Sequence, residues 1–523
     1  MTAPHRPRRA RLRAAAVAGL VALAGALLTA TPAVAAPAGP GCDPLDAATA
    51  AQLAECVTVD GVTAHLDEFQ AIADANGGTR ASGTPGYDAS ADYVAATAAA
   101  AGLTVTTQDF DFPFFQLDSA AFAQTAPTPT TYAIGTDFAV MALSGSGEVT
   151  GRVVPVDLQL PPVGGSTSGC EAADFAALPA GAIALMQRGT CDFGAKAANA
   201  AAAGAAGAVI INEGNAPDRQ ELLLGNLGTP VGIPVLGAPF ALGEPLQDAT
   251  VTIQIDAISE IRSTSNVFAE LPGTSADQVL MVGGHLDSVP EGPGINDNGS
   301  GSAAILEVAE QFAASTPATT VRFAWWGAEE LGLVGSEFYV ASLAPEEAER
   351  IYGYLNFDMV GSPNSVNFIY DGDDSDAEGA GPGPAGSAGI EGVFATFFAD
   401  RGLPAEGTDF SGRSDYGPFI AVGIPAGGLF TGAEGIKTPE QAAAYGGTAG
   451  EAYDPCYHQA CDTRDNVDEE TLEQHSDAIA FTTATIAFDP TLITGAPASG
   501  GAAPTAGGGA AGGGLAHDHA LLS

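Results

Sequence analysis

Basic residues are scarce in this chain: 17 Lys and Arg stand against 62 Asp and Glu over 523 residues. Five of those Arg (Arg6, Arg8, Arg9, Arg11 and Arg13) fall in the first 36 residues, which hold no acid, so the remainder keeps 12 basic residues and a formal charge of −50. A surface of that sign repels nucleic acid and anionic membranes, which excludes both as partners, and attracts cationic groups. Long apolar runs are also missing after Ala14 to Ala30, and that stretch is short for a membrane span. With the Arg cluster before it and Ala33-Val34-Ala35 after it, the segment 1–36 reads as a signal peptide, leaving a secreted protein free of the membrane. No GxSxG occurs, and no Cys stands with a His in a catalytic context, which removes the common nucleophilic hydrolase patterns. CxxC is absent too. The six Cys therefore read as disulfides of an exported protein before zinc-thiolate ligands, and although they allow many pairings, they fall in three local pairs: Cys42 with Cys56, Cys170 with Cys191, Cys456 with Cys461.

What is present is organised around Val279 to Gly361. Val279 to Val282 leads into Gly283-Gly284-His285-Leu286-Asp287, Val321 to Trp326 into Gly327-Ala328-Glu329-Glu330, and Tyr354 to Phe357 into Asp358. Each run is short, apolar and closed by Gly or a charge, the pattern of a buried strand followed by a loop. Helical periodicity lies between them, clearest from Ser302 to Phe312 with Ile305, Ala309 and Phe312 on one face. That alternation predicts an α/β fold with a mostly parallel sheet whose ligand sites gather beyond the carboxyl ends of the strands. From about Thr130 to Ile255 the pattern changes to strands at Gly151 to Val156, Ala182 to Met186 and Ala208 to Asn212 around a helix at Gly194 to Ala206, a small α/β domain of its own. The expected division is a signal peptide at 1–36, the first part of the main domain at 37–129, the inserted domain at 130–255, the catalytic part at 256–490 and an Ala/Gly-rich flexible tail at 491–523.

His285, Asp297, Glu330, Asp358 and His458 supply two imidazoles and three carboxylates, donors suited to zinc and too few in oxygen for calcium. Five ligands overfill one tetrahedral ion and fit two if one carboxylate bridges, with room left for a shared water. Glu329, beside a ligand but left without a metal, suits a general base. His65 and His475 read as ordinary surface or helix residues, and the acid run Asp371, Asp373, Asp374, Asp376 as a solvated loop.

The motifs His285-Leu286-Asp287-Ser288-Val289, Gly292 to Gly301, Trp326-Gly327-Ala328-Glu329-Glu330-Leu331-Gly332, Asn356-Phe357-Asp358-Met359 and Cys456-Tyr457-His458 resemble the zinc exopeptidase family of secreted co-catalytic dizinc aminopeptidases, of the bacterial leucyl aminopeptidase and aminopeptidase Y type. Arg188 to Asn199, followed by Ala203 to Ala208, is similar to a protease-associated domain. The resemblance implies a three-layer α/β/α peptidase domain, with a mixed, mostly parallel sheet, interrupted by that smaller domain. It also implies two zinc ions per chain: His285 and Asp358 on one, Glu330 and His458 on the other, Asp297 bridging, with a cis peptide after Asp297. Glu329 becomes the base, Asp287 the acid that fixes the His285 imidazole, Tyr457 a donor to the developing oxyanion, and Arg413 a residue lining the substrate pocket. Phe419, Ile420 and Phe430 are expected to form an apolar specificity pocket. The implied activity is that of a monomeric secreted metallo-aminopeptidase acting on peptides. Its rivals are a carboxypeptidase on the same scaffold, which needs an Arg cluster, and an inactive binding protein, which is marked by lost ligands.

Overall fold

The computed structural model describes residues 50–377 and 379–495. The signal peptide, Cys42 and the tail from residue 496 lie outside the described residues.

The three apolar runs become the middle of one sheet. Ser275–His285 lies between Thr319–Trp326 and Ile351–Phe357, parallel to both, and Ala426–Phe430 continues the parallel set beyond Ile351–Phe357. Because helices cover both faces, these strands are buried on both, which is why they read as runs and not as alternations. The two-residue repeat still sorts their side chains. Leu280, Val282, Val321, Phe323 and Trp325 pack under one helical layer, and Val279, Met281, Ala324 and Trp326 under the other. The first layer comprises Val59–Ala75, Pro85–Ala100, Gly301–Phe312, Ser387–Arg401 and Glu469–Phe488; the second, thinner one is built on Val334–Ser342 and Tyr416–Ala421. Antiparallel strands at the margins, Phe368–Tyr370 and Thr250–Leu271, make the sheet mixed. This is the α/β/α architecture expected.

Helix Gly301–Phe312 is not amphipathic in place. Ala303, Ala304, Ile305, Leu306, Val308, Ala309 and Phe312 are all fully buried, and Glu307 is buried with them. The sheet covers one side of this helix, and neighbouring helices cover the other. His475, read as an ordinary surface or helix residue, lies on helix Glu469–Phe488 and is also buried; its Nε2 lies 2.9 Å from Oδ1 of Asn367, and burial drives its pKa down to about 3. The acid run is a self-capped loop, the Asp371 carboxylate accepting the N–H groups of Asp373, Ser375 and Asp376.

The sequence reading missed a long strand, Thr104–Ala126, which pairs antiparallel with Thr250–Leu271 from Thr104↔Glu270 to Ala126↔Thr250. Its Thr, Gln and Asp residues hide the pattern, but Phe110, Phe112 and Phe114 alternate onto one buried face against Ala328. Arg262 lies over the ring of Phe114 at 3.5 Å. Pro113 is tolerated because the strand is paired on one side only at that point. The ribbon carries the chain to a second α/β unit, with strands Gly147–Pro155, Ile183–Gln187, Gly207–Ile211 and Val235–Ala238 and helix Phe193–Ala202, and then back again. Thr250–Leu271 runs unbroken through residue 255, so the chain returns without a linker there. The cores remain distinct: those of the insertion draw on Phe122 to Ile255, and that of the main sheet on other residues. Disulfides join Cys170 to Cys191 and Cys456 to Cys461, and Cys56 is disulfide-bonded as well.

Leu117 and Ala257 face each other across the ribbon. Replacing residues 118–256 by an Asn-Gly turn between them is expected to leave a main domain that unfolds cooperatively when followed by circular dichroism. A product without a cooperative transition would show that the insertion holds the sheet together.

Candidate active site

Four of the expected residues sit where parallel strands end. His285 closes its strand, Glu329 and Glu330 follow Thr319–Trp326, and Asp358 follows Ile351–Phe357. Asp297 comes from the irregular segment Ile295–Ser300, in which the Asp297–Asn298 peptide is cis. His458 stands inside the loop closed by Cys456–Cys461, with φ +57°.

The structure brings these side chains together. Nε2 of His285 lies 3.2 Å from Oδ1 of Asp358 and 3.3 Å from Oδ1 of Asp297. Nε2 of His458 lies 3.0 Å from Oε2 of Glu330 and 3.2 Å from Oδ2 of Asp297. Asp297 thus turns one oxygen to each imidazole. Glu329 stands farther back, its Oε2 3.9 Å from His285. All are buried or nearly so except His458, whose side chain is 33% exposed and faces the cleft mouth.

A web of neighbours holds this arrangement. Ser414 donates to Oδ2 of Asp358 at 2.6 Å, and behind it run Asn356, Tyr354 and Trp326, each hydrogen-bonded to the next. Asp462 accepts the N–H groups of Asn296 and Asp297, both at 2.9 Å, and so fixes the Asp297 segment. Asn298 spans from the carbonyl of Phe357 to the N–H of Met359. Arg80 is fully buried and donates to the carbonyls of Leu286, Pro293 (2.8 Å) and Gly294 (2.6 Å), stitching the loop after His285 to the loop before Asp297. None of these was singled out from sequence. Asp462 could have been suspected from its place next to Cys461, but nothing local marks Arg80 as buried.

Nδ1 of His285 faces Asp287 at two points, 3.0 Å from its main-chain oxygen and 3.7 Å from Oδ1 of its carboxylate. The carboxylate also accepts the N–H of Glu329 at 3.2 Å and so orients the Glu329-Glu330 pair. Tyr457 stacks on His458 with ring centres 3.8 Å apart, and its hydroxyl accepts from Arg413 Nη2 at 3.2 Å while Nη1 of the same Arg pairs with Glu434 at 2.7 Å. The cleft wall also needs correcting: Phe430 lines it with Met359, Tyr370, Tyr416 and Ala433, whereas Phe419 stacks on Tyr354 behind it, centroids 4.1 Å apart. Ile420 packs in that same rear layer.

The electrostatics call for cations. Burial, reinforced by Asp297, pushes Glu330 up to about 7, and burial does the same to Asp415; burial, with the neighbouring acids and against His285, also raises Glu329 well above the usual carboxylate range. Burial also opposes charge on Asp297, but contacts with both imidazoles win and hold it below the usual carboxylate range. Oδ2 of Asp297 and Oε1 of Glu330 are buried without a hydrogen bond. Orphaned carboxylate oxygens beside imidazole nitrogens are the donor set zinc takes, so these residues fit the metal.

Such donors, gathered in a cleft and short of positive charge, define a site for metal ions. The model of peptidase family M28 matches residues 266–483, and that of the PA domain matches residues 149–246. The chain is 50% identical over 456 residues to an aminopeptidase of Pseudomonas aeruginosa, spanning 86% of this chain and 85% of that one. Among solved structures it resembles the aminopeptidase from Aneurinibacillus sp. strain AM-1 (TM-score 0.58, 25% identical, 84% of this chain and 96% of the other). It also resembles a zinc aminopeptidase from Bacillus subtilis (TM-score 0.52, 26%, 82% and 94%). The chain belongs to peptidase family M28, with a PA domain inserted in the peptidase fold.

Arg80→Leu leaves three buried carbonyls without their donor and is expected to destabilise the protein by about 3–5 kcal/mol, read from the urea midpoint. An unchanged midpoint would mean that the two loops hold each other without the guanidinium.

Proposed function

We propose that this chain is a secreted zinc-dependent aminopeptidase that holds two zinc ions and removes apolar N-terminal residues from peptides. His285 and Asp358 would hold one ion and Glu330 and His458 the other, with Asp297 shared between them. The observation that carries the two-ion reading is Asp297, whose oxygens lie 3.3 and 3.2 Å from two different imidazoles. Zinc bound there supplies Lewis-acid polarisation of the scissile carbonyl and acidifies the attacking water.

The chain's own groups do the rest. Glu329, with Oε2 3.9 Å from Nε2 of His285, would serve as the base for the attacking water and would return the proton to the leaving amine. Its raised proton affinity suits a group that must both accept and release. Because Arg413 donates to the oxygen of Tyr457, the phenol keeps its own hydrogen for the substrate oxygen that becomes negative. Ser414 and Asp462 keep Asp358 and the Asp297 segment in place. The wall of Met359, Tyr370, Tyr416 and Phe430 fits an apolar side chain.

The substrate end follows from charge. A carboxypeptidase needs free guanidinium groups for a carboxylate. Arg413 is engaged by Glu434 and Tyr457, Arg322 by Glu270 and Glu347, and Arg464 by Asp67 and Glu469. The acids of the cleft instead suit the free ammonium of a peptide N-terminus. An inactive binding protein is disfavoured because no member of the ligand set is lacking. Secretion rests on the basic and apolar pattern of residues 1–36 and on the disulfides.

Glu329→Gln removes the base and no ligand, so it is expected to keep its zinc while turnover falls at least about 10²-fold. His458→Ala should lose zinc. Elemental analysis beside anilide hydrolysis separates the two, and equal zinc loss would reverse the assignment of Glu329 and Glu330. Acetylating the N-terminus of a peptide substrate is expected to stop its hydrolysis; mass spectrometry showing shortening from the other end would favour the carboxypeptidase.

A further inference from the structure

Helix Gly301–Phe312 carries two acids that the catalytic cleft does not use. Glu307 and Glu310 are one turn apart and share a face. Both point to His65 of helix Val59–Ala75, which the sequence suggested was an ordinary surface or helix residue and which is buried. Its Nε2 stands 3.4 Å from Oε2 of Glu307 and 3.1 Å from Oε2 of Glu310, the three side chains being 7, 5 and 14% exposed. Despite that proximity, Nε2 has no hydrogen bond. On the other side of the ring, Nδ1 lies 2.7 Å from the hydroxyl of Tyr93 in helix Pro85–Ala100. Gln311 donates to Oε1 of Glu307 at 2.9 Å, leaving Oε2 for the histidine. Room for this carboxylate comes from Gly61, one turn before His65, where a Cβ would meet Oε1 of Glu307 at 2.5 Å.

Two positive charges are needed to neutralise this group, from two protons or from one divalent ion. A protonated imidazole with two carboxylates leaves a net −1, and among the described residues no Lys or Arg pairs with either Glu. A neutral imidazole with a divalent cation leaves zero, which a buried site strongly favours. The spacing agrees. Two tetrahedral ligands at zinc-bond length stand about 3.3 Å apart, and the separations here are 3.1 and 3.4 Å, the range found between His285, Asp297 and Asp358. A metal at Nε2 takes the tautomer in which Nδ1 carries the hydrogen, and the Tyr93 hydroxyl, 2.7 Å from Nδ1, is placed to accept it. One nitrogen and two carboxylates suit zinc and are too few for calcium.

We propose that His65, Glu307 and Glu310 hold a zinc ion outside the catalytic cleft, which clamps helix Val59–Ala75 to the helix that continues from the Asp297 segment. Glu310, the least buried of the three, marks the entry path and the side from which water completes the coordination. This site uses none of the catalytic ligands.

The test compares the full chain with His65→Gln and Glu310→Gln after chelator stripping and dialysis against zinc. Elemental analysis is expected to find one zinc fewer per chain in each variant. Because the readout is a difference, it stands whatever number the catalytic cleft holds. Crystals of the unaltered protein grown with zinc should show an anomalous peak between His65 Nε2 and the two carboxylates, which decides the matter even if a variant fails to fold. Equal zinc counts in the three proteins, or an anomalous map without that peak at saturating zinc, overturns the proposal.

Discussion

The repulsion among buried carboxylates at the ends of the parallel strands is the constraint on which the rest of the site depends. Asp287, Asp297, Glu329, Asp358, Asp415 and Asp462 are all buried within one cleft region. Buried charges of one sign are tolerated only where each finds donors or cations. Asp462 is met by two backbone amides, Asp287 by the amide of Glu329, and Asp358 by the hydroxyl of Ser414. Those donors are spent on orientation; Asp297 turns one oxygen to each of two imidazoles and Glu330 turns Oε2 to His458, while Oδ2 of Asp297 and Oε1 of Glu330 keep no hydrogen bond. Arg80 is a guanidinium buried beside this group; its hydrogen bonds go to carbonyls and steady the loops, while its charge attracts Asp287, Asp462 and Asp297 without a direct hydrogen bond to any of them.

What was legible in the sequence follows from this division. Parallel strands buried on both faces read as apolar runs, and ligands must sit just beyond them, so His285, Glu329, Glu330 and Asp358 could be placed by position. Asp297 and His458 lie on irregular segments where no strand end marks them, and they entered as donors of the right type, with their roles given by the motif resemblance. The partners that orient the ligands stayed hidden because their roles are set by distant residues. Ser414 meets Asp358 across the sheet, and Arg80 meets Pro293 from another layer. The strand Thr104–Ala126 was missed because its buried apolar residues, Phe110, Phe112, Phe114 and Phe122, stand among Thr, Gln and Asp residues that break the alternation. His65 and His475 lie on helices, as one of the two readings had it, but their burial was not foreseen, because a histidine carries no local sign of whether a second helix covers it.

Electrostatics and packing also meet at helix Gly301–Phe312. It starts one turn after Asp297, and the sheet and the outer helices enclose it. Small residues at Gly301, Ser302, Ala303 and Ala304 let it approach the strands, with Ser302 donating to the carbonyl of His285 at 2.5 Å. The position of the Asp297 segment is thus fixed from its far end by core packing and from its near end by Asp462.

The ribbon of Thr104–Ala126 with Thr250–Leu271 has a bearing on how the chain is made. Thr104 pairs with Glu270, so the first half of the ribbon has no partner until the whole insertion has left the ribosome. Helices Val59–Ala75 and Pro85–Ala100 wait longer still, since the strands they cover, Ser275–His285 and Thr319–Trp326, are synthesised afterwards. The insertion's cores, by contrast, are complete once Ile255 is available. During synthesis, therefore, the inner unit is the first that can close, and the outer one assembles around a piece already folded. The strongly negative chain keeps the waiting helices apart from other nascent chains of the same kind during that interval.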